Sequence, residues 1–280
     1  MPGLEVVFAG DIPIGAGVSS SAAVEVAFLL AWNALADLGL SRRRLAQLGQ
    51  QVENRFLGVN SGIMDQFATL HGAADRLIWL DCRTLDHQLI PLPANVAVLV
   101  ADSGVRRELA NSQYNLRREQ CQEALTALQA YVPKARALRD ITVEHLERHG
   151  HRLPDTLYRR AKHVVQECLR VNEGVRQLQQ DDLDAFGRLI SASHQSSRDL
   201  FEVSIPELDA LAETASGSPG CYGARLTGAG FGGCVVALVE VDAAETVATE
   251  VQAAYARRFG QRPTVFACRV ADGASYRQRS

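Results

Sequence analysis

Apolar positions recur at helical spacing over long stretches of the chain and alternate or run together in short β-branched segments elsewhere, a mixture that predicts an α/β or α+β fold. "LEVVFAG" (4–10) reads as a short strand and "IPIGAGVSSS" (12–21) as a loop. "SAAVEVAFLLAWNALADLG" follows as a helix stopped by Gly39. Ser41 is placed to cap a second helix with apolar positions at Leu45, Leu48, Val52 and Phe56. "GVNSGIMDQFATLHG" predicts a turn feeding a short helix, and "RLIWLDC", "HQLIPLP" and "NVAVLVADSG" predict strands, the last opening a second unit. The pattern is helical and amphipathic over 112–139 and 157–197, with breaks at Pro133 and His149–Pro154. Two more strands, "CVVALVEV" and "TVFACRV", flank a helix-like "AAETVATEVQAAYARRFG". The expected division is 1–94 and 95–280.

At 280 residues and 47% apolar content the chain is long enough to bury a core. Its net charge of −3, with arginines interleaved among acids, offers no basic face for nucleic acid. The six cysteines are scattered without zinc-ligand spacing, which fits reduced thiols in the cytoplasm. No export signal or membrane span is expected: the most apolar segment, 22–40, carries Glu25, Asn33 and Asp37.

Chemistry concentrates in a few places. Gly15, Gly17 and Ser19–Ser21 precede a helix, where unpaired amides and the helix dipole stabilise an anion and a hydroxyl can reach a metal; the bland alternative is a serine N-cap without ligand. No lysine follows, so the loop is not a Walker A element, and the third glycine of a dinucleotide fingerprint is missing. "LTGAGFGGCVVALV" does match G-x-G-x-x-G at Gly228, Gly230 and Gly233, but a β-branched run follows it and not a helix. Such glycine density suggests a loop that approaches a backbone or ligand closely, or a tight turn into an edge strand. Glu53 and Asp65 singly read as helix-surface and first-turn charges. They gain meaning if they share a site with the Gly15 loop, one acid holding a metal and the other accepting a proton.

Together, "PIGAGVSSSAAVEVA" and "GCYGARLTGAGFGGCVVALV" resemble the phosphate-binding and third motifs of the GHMP kinase superfamily. "VENRFLGVNSGIMDQF", "LDCRTL", "ADSGVRRELANSQYNLRREQC" and "SHQSSRDLFEVSIPELDALAETA" are similar, in order and spacing, to the galactokinase family within it. The likeness runs over essentially the whole chain. It implies a two-domain α/β (α+β) fold with the active site between domains, and ATP-dependent phosphorylation of galactose at its anomeric hydroxyl.

By motif match the resemblance gives each residue a part. Ile14, Gly15, Ala16, Gly17, Val18, Ser19, Ser20 and Ser21 would hold the ATP phosphates, and Ser21 and Glu53 would serve Mg²⁺. Asp65 would be the catalytic base or a sugar-orienting acid, and Gly62, Asp65 and Tyr114 would line the sugar pocket. The chain departs from the family pattern in lacking an N-terminal segment with an Arg and an Asn-Leu-Ile-Gly-Glu-His motif. The first domain is therefore expected to be incomplete and the 280-residue chain to be weakly active or inactive. Ser61 stands where the family commonly has Cys, and Leu200 and Phe201 where it more often has an acid and Tyr. A non-catalytic galactose/ATP-binding sensor or relic on the same fold, or a kinase for N-acetylgalactosamine, are the other readings this pattern leaves open. Partners are expected to be galactose and ATP, with no nucleic acid and no membrane.

Overall fold

A computed structural model describes residues 5–14, 16–58, 61–106 and 110–277. It divides into two units, Met1–Leu92 with Arg269–Ser280, and Pro93–Cys268. Where the sequence suggests a single boundary near residue 94, the tail from residue 269 groups with the first unit. Backbone hydrogen bonds hold it there, from Gly273 N–H to Gly72 C=O (2.8 Å) and from Ala274 N–H to Thr69 C=O (2.7 Å).

The first unit is built on three helices, α1 (Ser20–Leu35), α2 (Arg42–Arg55) and α3 (Met64–His71), with a hairpin of β1 (Arg76–Leu80) and β2 (His87–Pro91). Val26, Leu30, Leu45, Ala46, Phe67 and Leu70 form its core. The turn after α1 comes earlier than the glycine stop suggests, because Asn33 exchanges two hydrogen bonds with the Leu40 backbone (2.9 and 3.1 Å) and folds the chain back. Ser41 caps α2 as its position predicts, accepting from Arg44 N–H at 3.2 Å. β1 and β2 pair antiparallel, with Ile78 opposite Leu89.

The strand expected over 4–10 is not formed in its described part: residues 5–10 are irregular, and Val6, Val7 and Phe8 are exposed. β propensity alone does not make a strand; it needs a hydrogen-bonding neighbour, and none pairs with these residues among those described.

In the second unit an antiparallel sheet runs in the order β4 (Cys221–Leu226), β5 (Cys234–Glu240), β3 (Val96–Asp102), β6 (Thr264–Cys268). Val98 pairs with Leu238 on one side and Cys268 on the other. Helices α8 (Pro206–Gly217) and α9 (Ala244–Phe259) supply Leu208, Leu211, Val247, Val251 and Tyr255 to a core shared with Leu99, Val235 and Val239. A second core joins α4 (Ala110–Gln129), α5 (Val143–His149) and α6 (Asp155–Gln179) through Ala124, Leu128, Leu146, Ala161 and Val165.

Within the helical stretch 112–139, α4 ends at Gln129, ahead of the break expected at Pro133, which has no N–H to continue a helix. The stretch 157–197 is two helices, α6 and α7 (Leu183–Ser196). Asp181 turns left-handed between them (φ 56°) and Asp182 caps α7 by accepting from Ala185 N–H (2.8 Å). Among the described residues no helix is long and apolar enough to cross a membrane.

Candidate active site

The first unit brings several of the singled-out residues together. The loop ahead of α1 turns at Gly17 (φ 78°) and buries Ala16 completely, while Ile14 is exposed and Val18, Ser19 and Ser20 are half-buried. Gly15 lies outside the described residues. Ser19 is the N-cap residue, but it takes a left-handed conformation (φ 63°, ψ 35°) and its side chain makes no capping hydrogen bond. The serine-cap alternative is therefore not what forms. The first amides of α1 are met by no N-cap side chain, the arrangement in which a helix start favours an anion.

Ser21, exposed on the first turn of α1, donates from Oγ to Glu53 Oε1 of α2 at 3.2 Å. The other carboxylate oxygen of Glu53 accepts from Ser61 Oγ, so one acid gathers two hydroxyls from segments forty residues apart. These are hard oxygen donors. Mg²⁺ is commonly bound by one or two carboxylates together with substrate phosphates, and the pair fits that pattern. Among the described residues no group of three or more His, Cys, Asp and Glu could hold a metal by itself.

Asp65 stands half-buried in the first turn of α3, and its carbonyl accepts from Thr69 Oγ1 at 2.8 Å. Its charge and that of Glu53 both reach Glu25 of α1. Burial raises the Glu25 pKa above its usual value, the Gln66 hydrogen bond partly offsets this, and repulsion from Glu53 and Asp65 adds to the rise. Three acids from α1, α2 and α3 thus share one electrostatic neighbourhood. Gly62 is exposed, with open space where a Cβ would stand.

In the second unit, Tyr114 is half-buried on α4, three residues before Arg117. Arg117 donates to the carbonyls of Phe201 and Glu202 (2.7 and 2.9 Å). Arg160, 2% exposed, donates to Gln120, to the Leu200 carbonyl and to the Glu202 carboxylate. Together they fix a left-handed turn at Glu202 (φ 55°) after a π-helical turn, Ser197–Phe201.

The glycine-rich run leans on the residue after that turn. Phe231 N–H donates to the Val203 carbonyl at 2.7 Å, and a Cβ on Gly230 would stand 2.1 Å from that same oxygen. A Cβ on Gly232 would stand 2.6 Å from the Val105 carbonyl. Close backbone approach is thus what the glycines permit. The strand they lead into, β5, lies inside the sheet and not at its edge. Sequence reasoning missed Gln66, Arg117, Arg160 and Glu202, and read Glu25 only as a charge in an apolar helix. The one signal available for Glu25 was its spacing, four residues from Ser21.

Comparison with known proteins gives the family and the fold. Residues 2–73 match the family described as GHMP kinases N terminal domain, and residues 175–257 match GHMP kinases C terminal. The chain is 46% identical to a galactokinase of Roseiflexus sp. (strain RS-1) over 273 residues, covering 98% of this chain and 70% of that protein. It is 42% identical to a galactokinase of Staphylococcus carnosus (strain TM300), covering 98% and 71%. The crystal structure of Lactococcus lactis galactokinase complexed with galactose superposes with a TM-score of 0.91 at 36% identity, over 95% of this chain and 69% of that one. L. major mevalonate kinase shares the fold, with a TM-score of 0.59 at 20% identity over 92% of this chain and 67% of that one. The chain spans about 70% of the length of the galactokinases it matches.

Proposed function

The chain belongs to the galactokinase family of the GHMP kinases, and from that membership we propose that it transfers the γ-phosphoryl group of ATP to the anomeric hydroxyl of D-galactose, giving galactose 1-phosphate and ADP. The observation that carries this reading is the Ser21–Glu53 pair at the start of α1, with Asp65 charged in the same neighbourhood. Phosphoryl transfer asks a protein mainly for positioning and charge neutralisation.

The loop from Ile14 to Ser21 and the first amides of α1 hold the triphosphate. Ser21 and Glu53 would hold Mg²⁺, which would neutralise phosphate charge there. Asp65 accepts a hydrogen bond from the sugar hydroxyl, fixing its lone pair toward the γ-phosphorus. As the new oxygen–phosphorus bond forms and the bond to the β,γ-bridging oxygen breaks, the hydroxyl proton passes to the Asp65 carboxylate and ADP leaves with the bridging oxygen. Gly62, with open space where a Cβ would stand, leaves room for the sugar. The scattered spacing of the six cysteines suits a cytoplasmic enzyme.

The experiment is ADP release from Mg-ATP with galactose and, separately, with N-acetylgalactosamine. Galactose should support release and N-acetylgalactosamine should not. Release with N-acetylgalactosamine alone would move the substrate assignment, and nucleotide and sugar binding without release would make the chain a sensor.

A further inference from the structure

Glu25 is a partly buried acid to which the reading above gives no part. It lies one turn after Ser21 on the same face of α1, and its Oε2 accepts from Gln66 Nε2 at 3.1 Å. Gln66 is fully buried and follows Asp65 in the first turn of α3, a helix whose N-cap residue, Ile63, offers no side-chain hydrogen bond. Gly49 makes the space for the pair: a Cβ there would stand 2.8 Å from Gln66 Cγ and 3.5 Å from Glu25 Oε2. Gly49 is also one turn before Glu53 on α2, so the three helices meet here along the faces that carry Ser21 and Glu53, with Asp65 next to Gln66 in the first turn of α3.

The pairing leaves Glu25 Oε1 and Gln66 Oε1 buried and without a hydrogen-bond partner. Unpaired buried oxygens are a loss for stability, and apolar side chains of the same size would serve a merely structural contact as well or better. What an apolar contact would not give is a directional bond with one register. We propose that Glu25, on the sugar-kinase reading above, is a positioning residue: through Gln66, in the space left by Gly49, it fixes the first turn of α3 and so sets where the Asp65 carboxylate stands relative to the Ser21–Glu53 pair. It touches neither substrate nor metal.

Three variants of the full chain test this: Glu25→Ala, which removes the acceptor; Gln66→Glu, which sets two carboxylates against each other; and Glu25→Gln combined with Gln66→Glu, which restores donor and acceptor in the reverse sense. Both single variants should lose roughly tenfold to hundredfold in kcat, the range expected when a reacting group is misplaced by a fraction of an ångström to an ångström. KM for Mg-ATP should stay within about twofold, and the combined variant should recover most of the loss.

Amide hydrogen exchange over residues 63–67, followed in parallel, does not depend on turnover. It should quicken in both single variants and return to the wild-type rate in the combined one, with the other helices of the unit unchanged. If the wild-type chain shows no galactose-dependent turnover, the exchange data still decide the positioning. If Glu25→Ala does not fold, Gln66→Glu and the combined variant decide it. The proposal is overturned if the single variants match wild type in both readouts, if the combined variant stays as low as the single ones, or if exchange quickens uniformly over all helices.

Discussion

Replacing Gly187 with alanine should destabilise the second unit severely, against the ordinary preference of helices for alanine. Gly187 lies in α7 where the helix backbone rests on the β4 backbone. A Cβ there would stand 1.9 Å from the Tyr222 carbonyl oxygen and 2.3 Å from its carbon. Gly223 returns the contact, since a Cβ on it would stand 2.1 Å from the Gly187 oxygen. Tyr222 sits at a bulge where pairing slips between Cys221 and Gly223, and β4 is held from its other side by β5.

Ordinary contact therefore requires α7 and β4 to separate by about 1.5 Å, and neither atom belongs to a side chain that can rotate away. Overpacking of side chains costs about 1–3 kcal/mol, and a backbone clash belongs at or above the top of that range. Alanine returns about 1 kcal/mol through helix propensity. The net loss should be about 2–3 kcal/mol, which for a unit of this size lowers Tm by roughly 5–10 °C. Gly174 of α6 is the control. Its added Cβ meets the ring edge of Phe186 at 3.0 and 3.2 Å, which can tilt, so Gly174→Ala should fall within about 1 kcal/mol of wild type. Thermal and urea unfolding followed by circular dichroism measure both. A Gly187→Ala chain as stable as wild type, or a loss at Gly174 as large as that at Gly187, would refute the reasoning.

Glu53→Gln should raise the Mg²⁺ concentration needed for half-maximal turnover by roughly tenfold or more, because a neutral amide is a poor ligand for a hard cation; magnesium titration of ADP release measures it. Stability should also fall in acid by a measurable amount at His163. This buried ring, stacked on Phe201 and hydrogen-bonded through Nδ1 with Ser196 Oγ (2.8 Å), has its pKa lowered to about 4 by burial, partly offset by Glu167. The unfolded chain takes up that proton near pH 6.5 and the folded chain does not, so the contribution is complete above that pH and is lost as pH falls from there toward 4, by about 3 kcal/mol in all. His163→Gln should flatten that part of the stability profile, measured by urea unfolding between pH 4 and 8.

Local chemistry in the sequence carried much of the fold. Ser41 caps the helix it precedes, the apolar spacing of α2 and α9 gives those helices, and the alternation of "RLIWLDC" and "HQLIPLP" gives the hairpin. The failures are places where a distant partner decides. The described part of "LEVVFAG", residues 5–10, has strand-forming residues and no pairing neighbour among the described residues, whereas "CYGARL", interrupted by Gly223 and Arg225, becomes β4 because β5 pairs with it and α7 rests on its glycine.

The candidate site follows the same division. Ser21, Glu53 and Asp65 could be picked out by residue type and motif, and a hydrogen bond then joins the first two across 32 positions. Glu25 could not, because its meaning lies in Gln66, 41 residues on, and in the space at Gly49. The glycine run announced close approach, but nothing in its composition named Val203 and Val105 as the backbones approached.

The most direct test of the central claim is to incubate the purified 280-residue chain with Mg-ATP and galactose and follow galactose 1-phosphate by phosphorus NMR, beside the Asp65→Asn chain. Galactose 1-phosphate should accumulate with the wild-type chain. The Asp65→Asn chain should lose about 10²-fold or more of that rate, the scale of a removed proton acceptor. Equal yields of galactose 1-phosphate from the two chains would contradict the account.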